Sequence, residues 1–176
     1  MVEYSLTKVV TISRNMSTLL AIDPGYDRCG VALIDTTTIP SLIKSWCIIT
    51  NKKDPHSVRI AQIFTELQLS IAEYQPEAIA LETLFFSVNK KSVMAVAEAR
   101  GVISLIAGLH TIPLIELSPQ EVKLGMTGTG NADKKMVEKM VELTLKIDTK
   151  SKLDDEIDAI ALGMAAAGTL RLKKMS

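Results

Sequence analysis

The chain has 176 residues, of which 47% are hydrophobic, so it is long enough for one domain with a sizeable core and has no room for two large domains. Lysine plus arginine and aspartate plus glutamate number 20 each, so the net charge neither favours nor excludes a nucleic-acid partner. The most apolar segment, 93–109, carries Glu98 and Arg100, which argues against a span across a membrane.

The chain begins its core with three apolar runs that predict antiparallel strands. These runs, 19–22, 30–34 and 43–49, are divided by a Pro-Gly break and by a Thr-rich break that contains proline. Asp54 and Pro55 then fit the N-cap and the first position of a helix. The apolar residues of this helix recur at helical spacing and are Ile60, Ile63, Phe64, Leu67 and Ile71.

Strands and helices alternate in the rest of the chain. The predicted elements are a strand at 77–82, a helix at 90–109, a strand at 112–117, a helix that opens with the capping box 118–121 and ends near Gly125, a helix with an apolar stripe of Met136, Met140, Leu143 and Ile147, and a last helix from Asp155 to about Leu170. Three meandering strands followed by strand-helix units predict an α/β fold. Its mixed five-stranded sheet is antiparallel at one side, parallel at the other, and flanked by helices.

We expect three regions along the chain. Residues 1–17 precede the first strong core signal and form an N-terminal appendage that could be disordered, 18–170 form the folded domain, and 171–176 form a basic tail. The two cysteines, Cys29 and Cys47, occur without a secretory signal. This predicts free thiols in a reducing compartment, and we expect the protein in the cytoplasm.

Acidic side chains stand at the ends of three predicted elements. Asp23 ends the first strand and Glu82 ends the strand at 77–82. Asp155 and Asp158 share one face of the first turn of the last helix. Taken singly, each acid also fits a turn or a solvated helix start. Sites in open α/β sheets form at the carboxyl ends of strands, so we expect these carboxylates to converge.

A converging set of carboxylates predicts a bound divalent cation. Two carboxylates ~5 Å apart repel by roughly 3 kcal/mol at an effective dielectric constant near 20, and several such pairs exceed what a marginally stable domain tolerates. Ligands that are all oxygen favour Mg²⁺, or Mn²⁺ in its place, over zinc. Two such ions about 4 Å apart could activate a water and stabilise the leaving oxygen of a phosphodiester.

Four short segments follow one another in an order and at separations that are typical of one nuclease family. The segments are 20–25 (LAIDPG), 81–85 (LETLF), 99–102 (ARGV) and 155–161 (DEIDAIA). They resemble the RuvC family of Holliday-junction resolvases over residues 19 to about 167. The resemblance implies a ribonuclease-H-like fold, a homodimer and two metal ions per active site. It also implies Mg²⁺-dependent symmetric nicking of four-way DNA junctions, with 5′-phosphate ends, in DNA recombination and repair.

The resemblance assigns roles to individual residues of this chain. The metal-binding acids of the family fall on Asp23, Glu82, Asp155 and Asp158. Asp154 competes with Asp155 for its place, because the spacing from Lys134 to the last acidic pair is about one residue longer than usual. The aromatic residue near the junction centre falls on Phe85, and the functional lysines fall on Lys123 and Lys134, the second of which we count with the catalytic residues.

Further contacts with DNA are expected from lysines near predicted helix starts, where backbone amides also favour phosphate. The candidates are Lys90, Lys91, Lys123, Lys134 and Lys135. Each of them alone also fits an ordinary solvated surface. Phe85 could stack at the branch point, although an aromatic residue is more often part of a core.

The helix at 90–109 is apolar nearly all round, which indicates that it is covered on two sides. The second side could face a partner subunit in a two-fold dimer, or it could lie under the C-terminal segment. A branch-migration helicase could be a further partner.

Three other interpretations compete with a junction resolvase. An ATPase of the actin and sugar-kinase type also has an Asp-x-Gly hairpin, but it needs two such domains. A nuclease of the same fold could act on another branched DNA or on RNA. A non-catalytic DNA-binding protein is disfavoured, since acids kept together without a function would only destabilise it.

Overall fold

The computed structural model describes residues 17–83 and 90–175, with side chains described for 17–83 and 93–170. Its strands are Thr18–Asp23 (β1), Arg28–Asp35 (β2), Ser41–Ile49 (β3), Ala78–Glu82 (β4) and Leu114–Leu117 (β5). Its helices are His56–Tyr74 (α1), Lys90–Leu109 (α2), Pro119–Thr127 (α3), Lys134–Leu145 (α4) and Asp154–Met175 (α5).

The strands form one mixed sheet in the order β3-β2-β1-β4-β5. β1, β2 and β3 pair antiparallel, whereas β4 pairs parallel with both β1 and β5. The α/β fold with a mixed five-stranded sheet is therefore confirmed. β1 and β4 lie at the centre and are covered on both faces, which explains why their sequences are nearly continuous apolar runs.

Helices cover the two faces of the sheet, and the alternation along β1 divides the core between them. Leu19 and Ala21 point to the face covered by α3, α4 and α5. Leu20 and Ile22 point to the face covered by α1 and α2. Full burial of each large aliphatic side chain contributes about 1.5–3 kcal/mol. Because α5 and α2 lie on opposite faces, the alternative that α2 lies under the C-terminal segment is wrong.

Small side chains let α5 approach the sheet closely. A Cβ added at Gly163 would lie 2.9 Å from the Cβ of Ala21 and 2.7 Å from Cγ1 of Ile34, closer than packed atoms come. Ala159 and Ala166 of the same helix are fully buried. The close approach puts the start of α5 beside the ends of the central strands.

Several helix boundaries differ from the prediction, each for a local reason. The N-cap of α1 is Pro55 and not Asp54, whose carboxylate instead accepts a hydrogen bond from Asn51 in the preceding turn. The capping box that opens α3 is confirmed. The helix continues past Gly125, because Gly128 is the residue that takes the left-handed φ of 79° and ends the helix. β5 starts at Leu114, two residues later than predicted, and α5 continues past Leu170 to Met175.

The face of α4 that packs against the core differs from the predicted one, so the predicted apolar stripe is wrong. Met136 and Leu143 are 48% and 62% exposed, whereas Val137 and Val141 are buried. Lys134 shares the face of Val137 and Val141, because residues three and four apart are neighbours on a helix. Two members of the stripe, Met140 and Ile147, do pack partly against the core. The observed rotation thus turns Lys134 toward α5.

No helix in the described ranges is long and apolar enough to cross a membrane. Both cysteines are free, as expected, with Cys29 buried in the core.

Candidate active site

Asp23 and Glu82 stand side by side at the carboxyl ends of two adjacent strands. β1 and β4 are parallel and pair Ile22 with Leu81, so the next residue of each strand is the acid. Neighbouring strands lie about 4.8 Å apart. The sheet itself therefore brings together two of the four acids that the sequence indicated.

Gly30 lets the first turn of α5 join these two acids. It pairs with Asp23 across β1 and β2. A Cβ added at residue 30 would lie 1.8 Å from the carbonyl oxygen of Asp155, so only glycine fits between the strand and the helix. In the sequence, Gly30 is part of an apolar run, which by itself does not predict this role. The available signal was a glycine inside a strand, which often marks a close backbone approach.

The electrostatics of Asp23 show that the carboxylates are crowded. Burial is the largest cause that raises its pKa to about 8, and the negative charges of Glu82, Asp158 and Asp155 raise it further, while Lys134 opposes them. Burial also raises the pKa of Glu82, with Asp158 as the next cause. The four acids therefore repel one another at the rim of the sheet, and a divalent cation would relieve that repulsion.

Lys134 partly neutralises this cluster. Its Nζ donates a hydrogen bond of 2.9 Å to Oδ2 of Asp158 and lies 3.6 Å from Oδ2 of Asp154. Burial nevertheless keeps the pKa of Asp158 above its ordinary value. Lys134 thus holds a positive charge directly beside the carboxylates, where the rotation of α4 places it.

Arg28 is a second cation at the site, and no pattern in the sequence predicted it. Its Nε lies 2.8 Å from Oδ2 of Asp155 and forms an ion pair with it. The same oxygen is buried, and Arg28 is the one partner found for it among the described residues. Asp154 differs, since its side chain is 74% exposed against 24% for Asp155. A buried carboxylate oxygen is costly without a partner, and Arg28 supplies that partner here.

The donor set fits a hard divalent cation. Every candidate ligand is a carboxylate, and hard divalent cations prefer oxygen ligands. Across the parts of the chain that the structure describes, no three His, Cys, Asp or Glu side chains already stand at metal-ligating distances from one another. Asp158 is instead paired with Lys134, and Asp155 is paired with Arg28.

Two arginines hold the strand ends that carry Asp23 and Glu82. Arg100 of α2 donates from Nε to the carbonyl oxygen of Glu82 at 3.3 Å and forms an ion pair with Glu116 of β5. Arg59 is buried and donates to the carbonyl oxygen of Tyr26 at 3.2 Å, in the turn after β1. Both arginines fix backbone beside the acids, and sequence patterns alone give no sign of these contacts.

The structure gives less information on the other residues that the sequence suggested as DNA contacts. Lys123 lines a pocket of about 160 Å³ together with Glu82, Lys134 and Asp158. Lys135 is exposed on α4 and does not line this pocket. Phe85 lies outside the described residues, as do the side chains of Lys90 and Lys91.

Acids at the ends of two central strands, completed by a helix packed on the same sheet, define a nuclease-like site on a ribonuclease-H-like fold. The sequence profile of the crossover junction endodeoxyribonuclease RuvC family matches residues 19–166, and the chain belongs to this family. The RuvC of Brachyspira hyodysenteriae is 41% identical over 156 residues, covering 87% of this chain and 95% of its own. That of Carboxydothermus hydrogenoformans is 38% identical over 154 residues, covering 88% and 96%.

Solved structures show the same fold. The structure titled T. thermophilus RuvC in complex with Holliday junction substrate superposes with a TM-score of 0.81 at 23% identity, covering 89% of this chain and 96% of the other. The yeast mitochondrial Holliday junction resolvase superposes with a TM-score of 0.64 at 16% identity, covering 93% and 84%. The expected ribonuclease-H-like fold is thereby confirmed. The family is one of metal-dependent nucleases.

Proposed function

We propose that this protein is a structure-selective endonuclease that resolves four-way DNA junctions by cutting two strands symmetrically, in DNA recombination and repair. The observation that carries the proposal is the crowding around Asp23, whose pKa rises to about 8 through burial and through the charges of three other acids. Repulsion between clustered carboxylates destabilises a protein that binds no metal. In a metal-dependent nuclease the same carboxylates are needed as ligands, and the bound cation relieves their repulsion. Membership of the RuvC family supplies the expected substrate.

The residues that would hold the metal are Asp23, Glu82, Asp155 and Asp158. We expect Mg²⁺, replaceable by Mn²⁺, with two ions per site. When bound, such ions would polarise the scissile phosphate and lower the pKa of a water; attack of that water on phosphorus would break the bond to the 3′ oxygen and give a 3′-hydroxyl and a 5′-phosphate end. Rigid strand ends and a packed helix suit this task because metal geometry tolerates little error.

Burial and position divide the roles among the acids. Asp23 ends the strand between β2 and β4 and has the other three site acids around it, so it would be the ligand best placed to contact both ions. Glu82 and Asp158 lie on either side of Asp23, and each would suit a ligand of one ion only. Asp155, rather than the exposed Asp154, completes the set as a ligand or as a group that orients the water.

Lys134 and its neighbours would handle the DNA. Lys134 already reaches the carboxylates, so it would be placed to stabilise charge on the phosphoryl oxygens of a bound DNA strand. Lys123 lines the same pocket and suits an adjacent phosphate. Lys90, Lys91 and Lys135 remain proposed backbone contacts, and Phe85 remains the proposed stacking residue.

A homodimer through α2 would place two active sites on two symmetric strands. In the chain by itself, Met94, Leu105 and Leu109 of α2 are 65%, 55% and 61% exposed. A groove of about 570 Å³ between α1 and α2 is lined largely by apolar side chains, including Phe64 and Leu105. Exposed apolar surface of this kind is typical of an interface.

The family alone suggests a branch-migration helicase as a partner, and the DNA substrate suggests the cytoplasm as the location.

A substrate panel tests the proposal. The full chain is incubated with a synthetic four-way junction, a linear duplex and an RNA-DNA hybrid, each with Mg²⁺ and with EDTA. We expect nicks only in the junction and only with Mg²⁺, at symmetric positions in two strands. Preferred cleavage of the duplex or the hybrid would contradict the proposed substrate, and cleavage in EDTA would contradict the metal.

A further inference from the structure

Three polar side chains join the start of α5 to β3 and play no part in the site described above. Ser45 donates from Oγ to Oε1 of Glu156 at 2.6 Å. Lys152 donates from Nζ to the same Oε1 at 2.6 Å and to Oγ of Ser45 at 2.9 Å. The three therefore close a triangle, and it links positions that are 107 and 111 residues apart in the chain.

This triangle is more enclosed than an ordinary surface ion pair. The side chains of Lys152 and Glu156 are 22% and 12% exposed, against 55% and 74% for the pair of Lys134 with Asp154. Removing charged groups from water costs free energy that only good geometry offsets. Ser45 meets that need because its hydroxyl accepts from the ammonium and donates to the carboxylate, so each group has a partner in one arrangement.

The triangle lies beside two candidate metal ligands on the same helix. Glu156 directly follows Asp155 and precedes Asp158 by two residues on the same helix. The backbone of Asp155 rests on Gly30, whose partner on β3 is Cys47, two residues from Ser45. The first turn of α5 thus contacts the sheet at two places, Gly30 of β2 and Ser45 of β3. Two separate contacts oppose both sliding and rotation of the helix.

We propose that Ser45, Lys152 and Glu156 are positioning residues that set the first turn of α5 so that Asp155 and Asp158 can share a divalent cation with Asp23. This inference rests on the proposed function. The three residues act through the helix backbone, because their own polar groups are engaged with one another. Metal sites require placement within about 0.5 Å, and loss of a supporting hydrogen bond commonly lowers metal affinity 10–100-fold.

The test measures Mn²⁺ binding by the full chain, from the electron paramagnetic resonance signal of free Mn²⁺. The variants are Ser45→Ala and Glu156→Gln. The matched control is Thr36→Val, which removes a hydroxyl that donates to Glu77 at 3.0 Å, at the opposite end of β2 from Gly30. We expect Ser45→Ala and Glu156→Gln to weaken Mn²⁺ binding at least tenfold, and Thr36→Val to change it less than twofold.

Thermal unfolding of the same samples separates positioning from general stability. If Ser45→Ala and Glu156→Gln bind Mn²⁺ as the wild type does, whatever their Tm, the inference is wrong while the proposed function stands. If the wild type itself binds no Mn²⁺, the metal site fails and the inference fails with it. A positioning role also predicts that high Mg²⁺ restores junction nicking by Ser45→Ala, which a loss of folded protein would not allow.

Discussion

The carbonyl oxygen of Asp155 packs against Gly30 so tightly that a Cβ on residue 30 would lie 1.8 Å from it. Since Gly30 also pairs with Asp23, this contact joins the helix that carries two acids to the strand that carries a third. The geometry of the site thus depends on residue 30 being glycine, which has no Cβ.

We therefore expect Gly30→Ala to lower the free energy of unfolding by about 3 kcal/mol or more, because the backbone overlap forces α5 away from β2. Junction nicking should fall with it. Urea denaturation measures the first effect. The matched control is Gly168→Ala on α5, where a Cβ would meet nothing within 4 Å. It should stabilise the protein by about 0.5–1 kcal/mol, and an equal loss in both variants would contradict the contact.

The raised pKa of Asp23 makes stability without metal depend on pH. Its pKa is about 8 in the folded protein against an ordinary 3.8, so between these values the folded state keeps a proton that the unfolded chain has released. Stability should therefore fall as pH rises from about 4 to about 8. Chemical denaturation in EDTA across this range measures the slope, and Asp23→Asn should make it shallower. An identical slope in both proteins would show that Asp23 is not the group responsible.

Asp154 and Asp155 are neighbours in the first turn of α5, but only Asp155 is turned toward Arg28 and Asp23. Asp155→Asn should weaken Mn²⁺ binding tenfold or more, whereas Asp154→Asn should change it less than about twofold. The two variants remove the same charge from the same helix end, so effects on the helix dipole cancel in the comparison. The reverse order of effects would assign the site to Asp154.

The exposed apolar face of α2 should hold the proposed dimer together. Leu105→Glu puts a charge into the groove between α1 and α2 and should give a monomer in light scattering coupled to size-exclusion chromatography. Leu69→Glu is the control, because Leu69 is similarly exposed on α1, at 52%, and does not line that groove. A dimer that survives Leu105→Glu but not Leu69→Glu would place the interface elsewhere.

Local patterns in the sequence were sufficient to predict most of the fold. The apolar run before Asp23 and the capping box at Ser118 depend only on neighbouring residues, and both lie where they were expected. The ends of adjacent parallel strands also follow from topology, which is why Asp23 and Glu82 could be expected together.

The remaining features depend on contacts between distant segments, which no local pattern records. The rotation of α4 follows from burial of Val137 and the pairing of Lys134 with Asp158. The ion pair of Arg28 with Asp155 joins positions far apart in the chain. Whether the acids act as metal ligands stays a prediction, although the structure brings them to one edge of the sheet.

The most direct test of the metal-carboxylate account compares the wild type with Asp23→Asn on a synthetic four-way junction with millimolar Mg²⁺. Junction binding is measured in parallel by gel shift without metal. The account predicts that the wild type nicks two symmetric strands, while Asp23→Asn binds the junction and leaves it uncut. Cutting by Asp23→Asn at the wild-type rate would contradict it.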